Sequence, residues 1–266
     1  MPAQLPSIVD DAQAQVLVDS GATVLDTRSL MYFLADGHIA GAVRISWRVG
    51  TSGRTTDGGL GDPVSAAAAF AGLGVSGSRP VLVVGDWDRG WGEEGRIYWD
   101  LVYLGHPDVH VLSGGMVAWT GARTRLPGSS PSAGDFIADP QSAARVGTGQ
   151  LAEWLGGGNG GGGTGEAPAG QVLDVREAAE FAGATPYGEA RGGHIPGALN
   201  VPWKELFTPA GLARVPRDRP IVVTCTGGVR SGMAYLLLRN AGYTVANYDE
   251  GMWGWARTEL AVTTGG

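Results

Sequence analysis

Residues 220 to 231 read Pro-Ile-Val-Val-Thr-Cys-Thr-Gly-Gly-Val-Arg-Ser. Four β-prone residues, Ile221 to Thr224, run directly into Cys225. Two glycines follow, and an apolar helical pattern then extends from Ser231 to Asn240. This order predicts a strand, a tight loop and a helix. The cysteine would sit where the strand ends and the helix begins. Backbone N–H groups converge at a helix N-terminus, and the helix dipole there favours an anion. Cys225 is also the only cysteine of the chain. A thiol in that position is suited to act as a thiolate nucleophile.

Working outward from this stretch, the chain repeats itself once. Val24-Leu-Asp-Thr-Arg28 is followed by Gly37-His-Ile-Ala-Gly-Ala-Val43; Val172-Leu-Asp-Val-Arg176 is followed by Gly193-His-Ile-Pro-Gly-Ala-Leu199. Pro80-Val-Leu-Val-Val84 answers Pro220-Ile-Val-Val-Thr224. Each copy has a helical pattern ending near a glycine, Gly105 or Gly242. Each closes on Gly-Met and a tryptophan, Gly115, Met116 and Trp119 against Gly251, Met252 and Trp255. Short β-branched runs alternating with helical stretches predict an α/β fold: two tandem domains, each a mostly parallel sheet flanked by helices. Ligands of such sheets bind beyond the carboxyl ends of the strands, which is where Cys225 falls. The matching position of the first copy is Gly85, so that copy has no nucleophile.

The expected division is a domain at 1–125, a linker at 126–145 in a Ser/Pro/Gly/Ala-rich stretch, and a catalytic domain at 146–266. Gly-Gly-Gly-Asn-Gly-Gly-Gly-Gly-Thr-Gly at 156–165 reads as a surface insertion, a kind that costs little to close. It lacks the Lys-Ser/Thr ending of a phosphate-binding loop.

The composition narrows the function. A net charge of −7 argues against a nucleic-acid or anionic-membrane surface. One cysteine forms no internal disulfide, and four scattered histidines show no metal-ligand spacing, so no metal is expected. No apolar run is long enough to span a bilayer, and no basic start precedes an apolar leader; a soluble, cytoplasmic chain is expected. The internal repeat already gives the catalytic half a partner, which makes a monomer the expected state.

Taken together, the Asp-x-Arg strands, the Gly-His-Ile-x-Gly-Ala turns, the Cys-x-x-Gly-x-Arg loop at 225–230 and the Gly-x-x-x-Trp endings resemble the rhodanese family of sulfurtransferases in its two-domain form. The resemblance covers nearly the whole chain. It implies an inactive N-terminal copy and a catalytic C-terminal copy, in agreement with the position of the only cysteine. It also implies the activity of a thiosulfate sulfurtransferase: a sulfane sulfur passes from thiosulfate to Cys225 and then to a thiophilic acceptor such as cyanide, a small thiol or a thioredoxin-like protein. No cofactor is implied, because the cysteine carries the sulfur covalently as a persulfide.

Elementary chemistry supports the same residues. A persulfide is anionic and needs donors around its terminal sulfur. The amides of Thr226, Gly227, Gly228, Val229 and Arg230 can curl around that atom, with the glycines supplying the backbone freedom. Arg230 adds a fixed positive charge for a small anionic sulfur donor. Asp174 and Arg176 either support this loop, Asp174 by accepting its hydrogen bonds and Arg176 by its field, or form a fold-supporting ion pair. Their twins Asp26 and Arg28 lie in the copy without a nucleophile, which favours the ion pair. Arg191 is a candidate for the pocket mouth, and Trp253 and Trp255 for its wall. His194 could be proposed as a base for Cys225, but its twin His38 has no cysteine to serve, so both are expected to stabilise turns. The charged residues from Asp86 to Arg96 are expected in a solvated loop.

Three alternatives stand beside this reading. Mercaptopyruvate enzymes of the family usually carry a Cys-Gly-Ser/Thr-Gly-Val-Thr-like loop and an arginine where this chain has Glu180. A carboxylate there repels the mercaptopyruvate carboxylate if it faces the pocket. The familiar thiosulfate enzymes in turn have a second basic residue after the cysteine, where this chain has Thr226. Related phosphatases have five residues between cysteine and arginine; here four intervene, a tighter cradle than a phosphate needs. A non-enzymatic persulfide carrier is the third alternative.

Overall fold

The computed structural model describes residues 5–51, 58–126, 131–156 and 170–265. It resolves into two compact units, Met1–Gly50 with Gly61–Gln141, and Thr51–Leu60 with Ser142–Gly266. Most of the glycine-rich stretch at 156–165 lies outside the described residues.

The first unit opens with β1 (Ile8–Val9), α1 (Asp11–Asp19), β2 (Thr23–Asp26) and α2 (Leu30–Ala35). Then come β3 (His38–Ile39), β4 (Val43–Arg44), α3 (Pro63–Gly72), β5 (Val81–Val84) and α4 (Glu93–Tyr103). It closes with β6 (Val109–Leu112), α5 (Gly115–Ala118) and β7 (Arg123–Thr124). Local signals account for the helix starts. Asp10 and Gln13 form a capping box at α1, and Asp62 caps α3 ahead of Pro63. Five strands form a parallel sheet in the order β1-β6-β5-β2-β4. The central β5 is buried along its whole length, which is why it reads as an unbroken valine-leucine run.

The second unit repeats the plan with α6 (Thr148–Trp154), β8 (Gln171–Asp174), α7 (Ala178–Ala182) and β9 (Leu199–Asn200). It continues with α8 (Pro209–Leu212), β10 (Ile221–Thr224), α9 (Val229–Asn240), β11 (Val245–Tyr248) and α10 (Gly251–Trp255). Its four strands are parallel in the order β11-β10-β8-β9. Its core gathers Leu151, Val172, Val222, Tyr248, Met252 and Trp255.

The boundary differs from the expected linker at 126–145. Residues 131–141 are packed into the first unit: Phe136 is buried, Gly134 donates to Ala71 O at 2.7 Å, and Asp139 donates to Leu104 O at 2.9 Å. Apolar Phe136 gives that segment a core anchor which composition alone hides. Ser142 already belongs to the second unit, and so does Thr51–Leu60 from the first sequence copy. No described helix is long and apolar enough to cross a membrane.

Candidate active site

The twelve-residue α9 is buried nearly all round, so its N-terminus is held rigidly at the end of β10. Gly228 caps it in the left-handed region, φ 86°. Cys225 is 1% exposed, and its Sγ accepts the Gly228 N–H at 3.2 Å. The first N–H groups of α9 have no acceptor in the preceding turn and lie at the same end.

The loop is also held from behind. Met252 N donates to Cys225 O and Trp253 N to Thr226 O, both at 2.9 Å. Both donors belong to α10, so the loop carbonyls are turned to that helix. Gly251 makes this approach possible: its φ is +57°, and a Cβ there would lie 2.5 Å from Thr226 O. The first unit has the same device, with Gly115 at φ +60° and Met116 N on Gly85 O at 2.9 Å. This explains the repeated Gly-Met. Trp253 packs on Gly227, where a Cβ would meet its ring at 2.2 Å, and its Nε1 donates to Tyr187 O at 2.9 Å. Trp255 is instead a core residue. Gly58 also lies against Gly227; its Cβ would fall 1.9 Å from Gly227 O.

Arg230 is buried and bidentate on Glu180, with Nη1 to Oε2 at 2.7 Å and Nη2 to Oε1 at 2.8 Å. Nη2 also donates to Thr226 Oγ1 at 2.8 Å, and that hydroxyl donates to Glu180 Oε1 at 3.0 Å. Glu189 Oε1 lies 3.4 Å from the same hydroxyl, and Tyr187 lies with its ring centroid 5.5 Å from the Arg230 Cζ. Burial pushes the Glu180 carboxyl up, but the hydrogen bonds and charge of Arg230 outweigh it and hold its pKa below the usual value. Burial likewise opposes the Arg230 charge; the Glu180 hydrogen bonds and the charges of Cys225 and Glu180 reverse that and raise its pKa. Arg230, expected to offer its charge to a donor, is engaged by a carboxylate, and its charge also acts on Cys225. Sequence reading singled out Glu180 only by its place after Asp-x-Arg and missed Glu189 and Tyr187. The Thr-Cys-Thr-Gly-Gly pattern carries no signal of partners 37 to 50 residues away.

Asp174 and Arg176 form a buried ion pair, Nη2 to Oδ2 at 2.6 Å, and Arg176 Nη2 also donates to Gly193 O at 2.8 Å. Asp26, Arg28 and Gly37 O repeat this arrangement, at 2.7 and 2.9 Å. The Asp174 carboxylate is taken up by Arg176 rather than by the cysteine loop, the alternative that the twin pair Asp26 and Arg28 favoured. The pair ties a strand end to the following turn; its reach to the site is the Arg176 field on Glu180. We expect Arg176→Ala to cost about 3 kcal/mol or more, because a buried carboxylate is left unpaired. Denaturant midpoints measure this, and turnover per folded molecule should change less than about threefold.

Arg191, the candidate for a pocket mouth, is taken up by backbone carbonyls. Its guanidinium donates to Ala256 O, Thr258 O and Leu260 O at 2.7 to 3.1 Å and fastens the C-terminal segment. His194 Nδ1 lies 2.8 Å from Phe181 O and its ring stacks on Phe181 at 3.5 Å; His38 does the same with Phe33. Both histidines are turn braces. Among the described residues no group of three or more His, Cys, Asp or Glu is placed to hold a metal.

In the first unit Gly92, φ 84°, caps α4 as Gly228 caps α9. Glu94 thus stands where Arg230 stands. A Cβ on Gly85 would lie 2.5 Å from Glu94 Oε2, so this carboxyl fills the place of the cysteine side chain. Its Oε1 accepts the Trp87 N–H at 2.6 Å. Glu94 is 1% exposed, and Arg96 is buried against Asp100 at 2.8 Å. The expected solvated loop is in this part the first turn of a buried helix.

A rhodanese-like domain model matches residues 6–122 and 163–258. A thiosulfate sulfurtransferase of Azotobacter vinelandii is 28% identical, over 95% of this chain and 94% of the relative. A 3-mercaptopyruvate sulfurtransferase of Escherichia coli K12 is also 28% identical, over 96% and 93%. The sulfur carrier protein TtuD of Thermus thermophilus is 27% identical, over 92% and 88%. The crystal structure of SseA from Escherichia coli superposes with a TM-score of 0.74 at 25% identity, over 93% of this chain and 99% of that one. With two domain matches that together span most of its length, the chain belongs to the rhodanese-like family, as a tandem pair related to curated sulfurtransferases.

Proposed function

We propose that this rhodanese-family sulfurtransferase carries its sulfur on Cys225 as a persulfide, taking it from thiosulfate and passing it to cyanide or a thiol. The observation that carries the reading is the Cys225 sulfur on the Gly228 N–H at the N-terminus of α9. The thiolate attacks the outer sulfur of thiosulfate, the sulfur–sulfur bond of the donor breaks, and sulfite leaves with the electron pair. The Gly228 amide and the opening turn of α9 support the charge on the new terminal sulfur. The acceptor then attacks that sulfur and returns the thiolate, a double displacement with ping-pong kinetics. The sulfur stays covalently bound throughout, so the scheme needs no cofactor.

Thiosulfate is favoured by the Azotobacter relative. The Escherichia coli relative favours 3-mercaptopyruvate as the second reading. Intact-protein mass after incubation with each donor tests both. Gain of one sulfur from thiosulfate, then its loss as thiocyanate on adding cyanide, is the expected result. Gain from 3-mercaptopyruvate alone selects the second reading. No gain from either overturns the proposal.

A further inference from the structure

Among the described residues, Thr226 of the cysteine loop meets one guanidinium, Arg230, and two carboxylates, Glu180 and Glu189, that share its hydroxyl. Arg176 is a second cation acting on Glu180, and it is bound to Asp174. Glu180 takes both arms of Arg230 in a buried, bidentate pair, the strong form of such a contact. Among these described groups an incoming anion meets a compensated arginine and one carboxylate charge in excess. The Gly228 amide, by contrast, is directed at the cysteine sulfur itself. It supports the single charge of a thiolate or persulfide, not the distant charges of a donor.

We infer that Glu180 sets the charge selectivity of the cysteine loop, disfavouring doubly charged sulfur donors relative to singly charged ones. Specificity here comes from a repulsive element beside the reacting atom. The inference rests on the reading of Cys225 as the sulfur-carrying residue.

Two donors of the same chemistry and different charge test it. Thiosulfate, a dianion, transfers its outer sulfur and releases sulfite. Methanethiosulfonate, a monoanion, transfers its outer sulfur and releases methanesulfinate. In both, the donor sulfur–sulfur bond breaks and the leaving group takes the electron pair. Glu180→Gln keeps the shape and an oxygen for Thr226 but removes the charge. The ratio of kcat/KM for thiosulfate to that for methanethiosulfonate should rise about tenfold in the variant, the effect of one unit charge at a partly screened site. A purely structural role for Glu180 would lower both values together. An unchanged or reduced ratio, with persulfide still forming, overturns this inference and leaves the sulfurtransferase reading standing. Should the variant fail to fold, the wild-type protein decides by its salt response. Thiosulfate kcat/KM should rise with ionic strength; a fall, the mark of a positive site, overturns the inference. Absence of persulfide from either donor in the wild-type protein overturns the functional reading and this inference with it.

Discussion

Cys225→Ser takes up no sulfur from any donor and melts within about 2 °C of the wild-type protein. The side chain is 1% exposed and nearly isosteric with serine, and a hydroxyl accepts the Gly228 N–H as the sulfur does. The fold therefore loses little. The chemistry loses its nucleophile: a hydroxyl needs a general base to attack, and among the described residues no histidine is placed to serve as one. The one histidine of the second unit, His194, is held on Phe181 O and stacked on the Phe181 ring. Thiocyanate release should fall by at least about a thousandfold, to the level of the uncatalysed reaction. Intact mass and a thiocyanate assay on the same sample check both halves. Sulfur uptake by the variant would place the carrier atom elsewhere and sink the persulfide mechanism.

The second large effect lies in the unit without a nucleophile. Burial, reinforced by the Glu93 and Asp86 charges, raises the Glu94 pKa from 4.5 to about 8 against the pull of its own and the Trp87 amides. Its second oxygen has no hydrogen-bond partner, as suits a carboxyl that is folded in its neutral form. The folded state therefore holds this proton more tightly than the unfolded chain. Stability is full below pH 4.5, falls as the unfolded chain ionises, and is lost through about pH 8. At about 1.4 kcal/mol per pH unit, the whole window amounts to roughly 5 kcal/mol. Glu94→Gln keeps the shape without the proton. It should flatten the stability profile between pH 5 and 8, about the limits of that window, and gain several kcal/mol at the upper end. Denaturant melts of both proteins across that range measure it. Parallel profiles would show that Glu94 folds ionised.

This carboxyl also shows where the sequence was legible and where it was not. That Gly85 answers Cys225 follows from the aligned strands β5 and β10. That Glu94 answers Arg230 does not, because the loop before it is four residues longer than its counterpart. Only the left-handed caps Gly92 and Gly228 bring the two helices into register. Arg191 is a similar case. Its place beside Gly192-Gly193 suggested a pocket mouth, but a flexible side chain goes where acceptors are, and the carbonyls of the C-terminal segment are 65 to 69 positions away in sequence.

By itself the sequence determined the two-copy plan, the parallel α/β units and a lone cysteine between strand and helix. These follow from local periodicity, glycine placement and residue chemistry, which neighbours along the chain decide. Only the tertiary structure decided what the charges do. Arg230 meets Glu180 across 50 positions, Asp174 spends its charge on Arg176, and Glu94 is sealed where the cysteine would be. The physical reason is that charge pairing and burial depend on distance through space, and that distance exists only once the chain has folded.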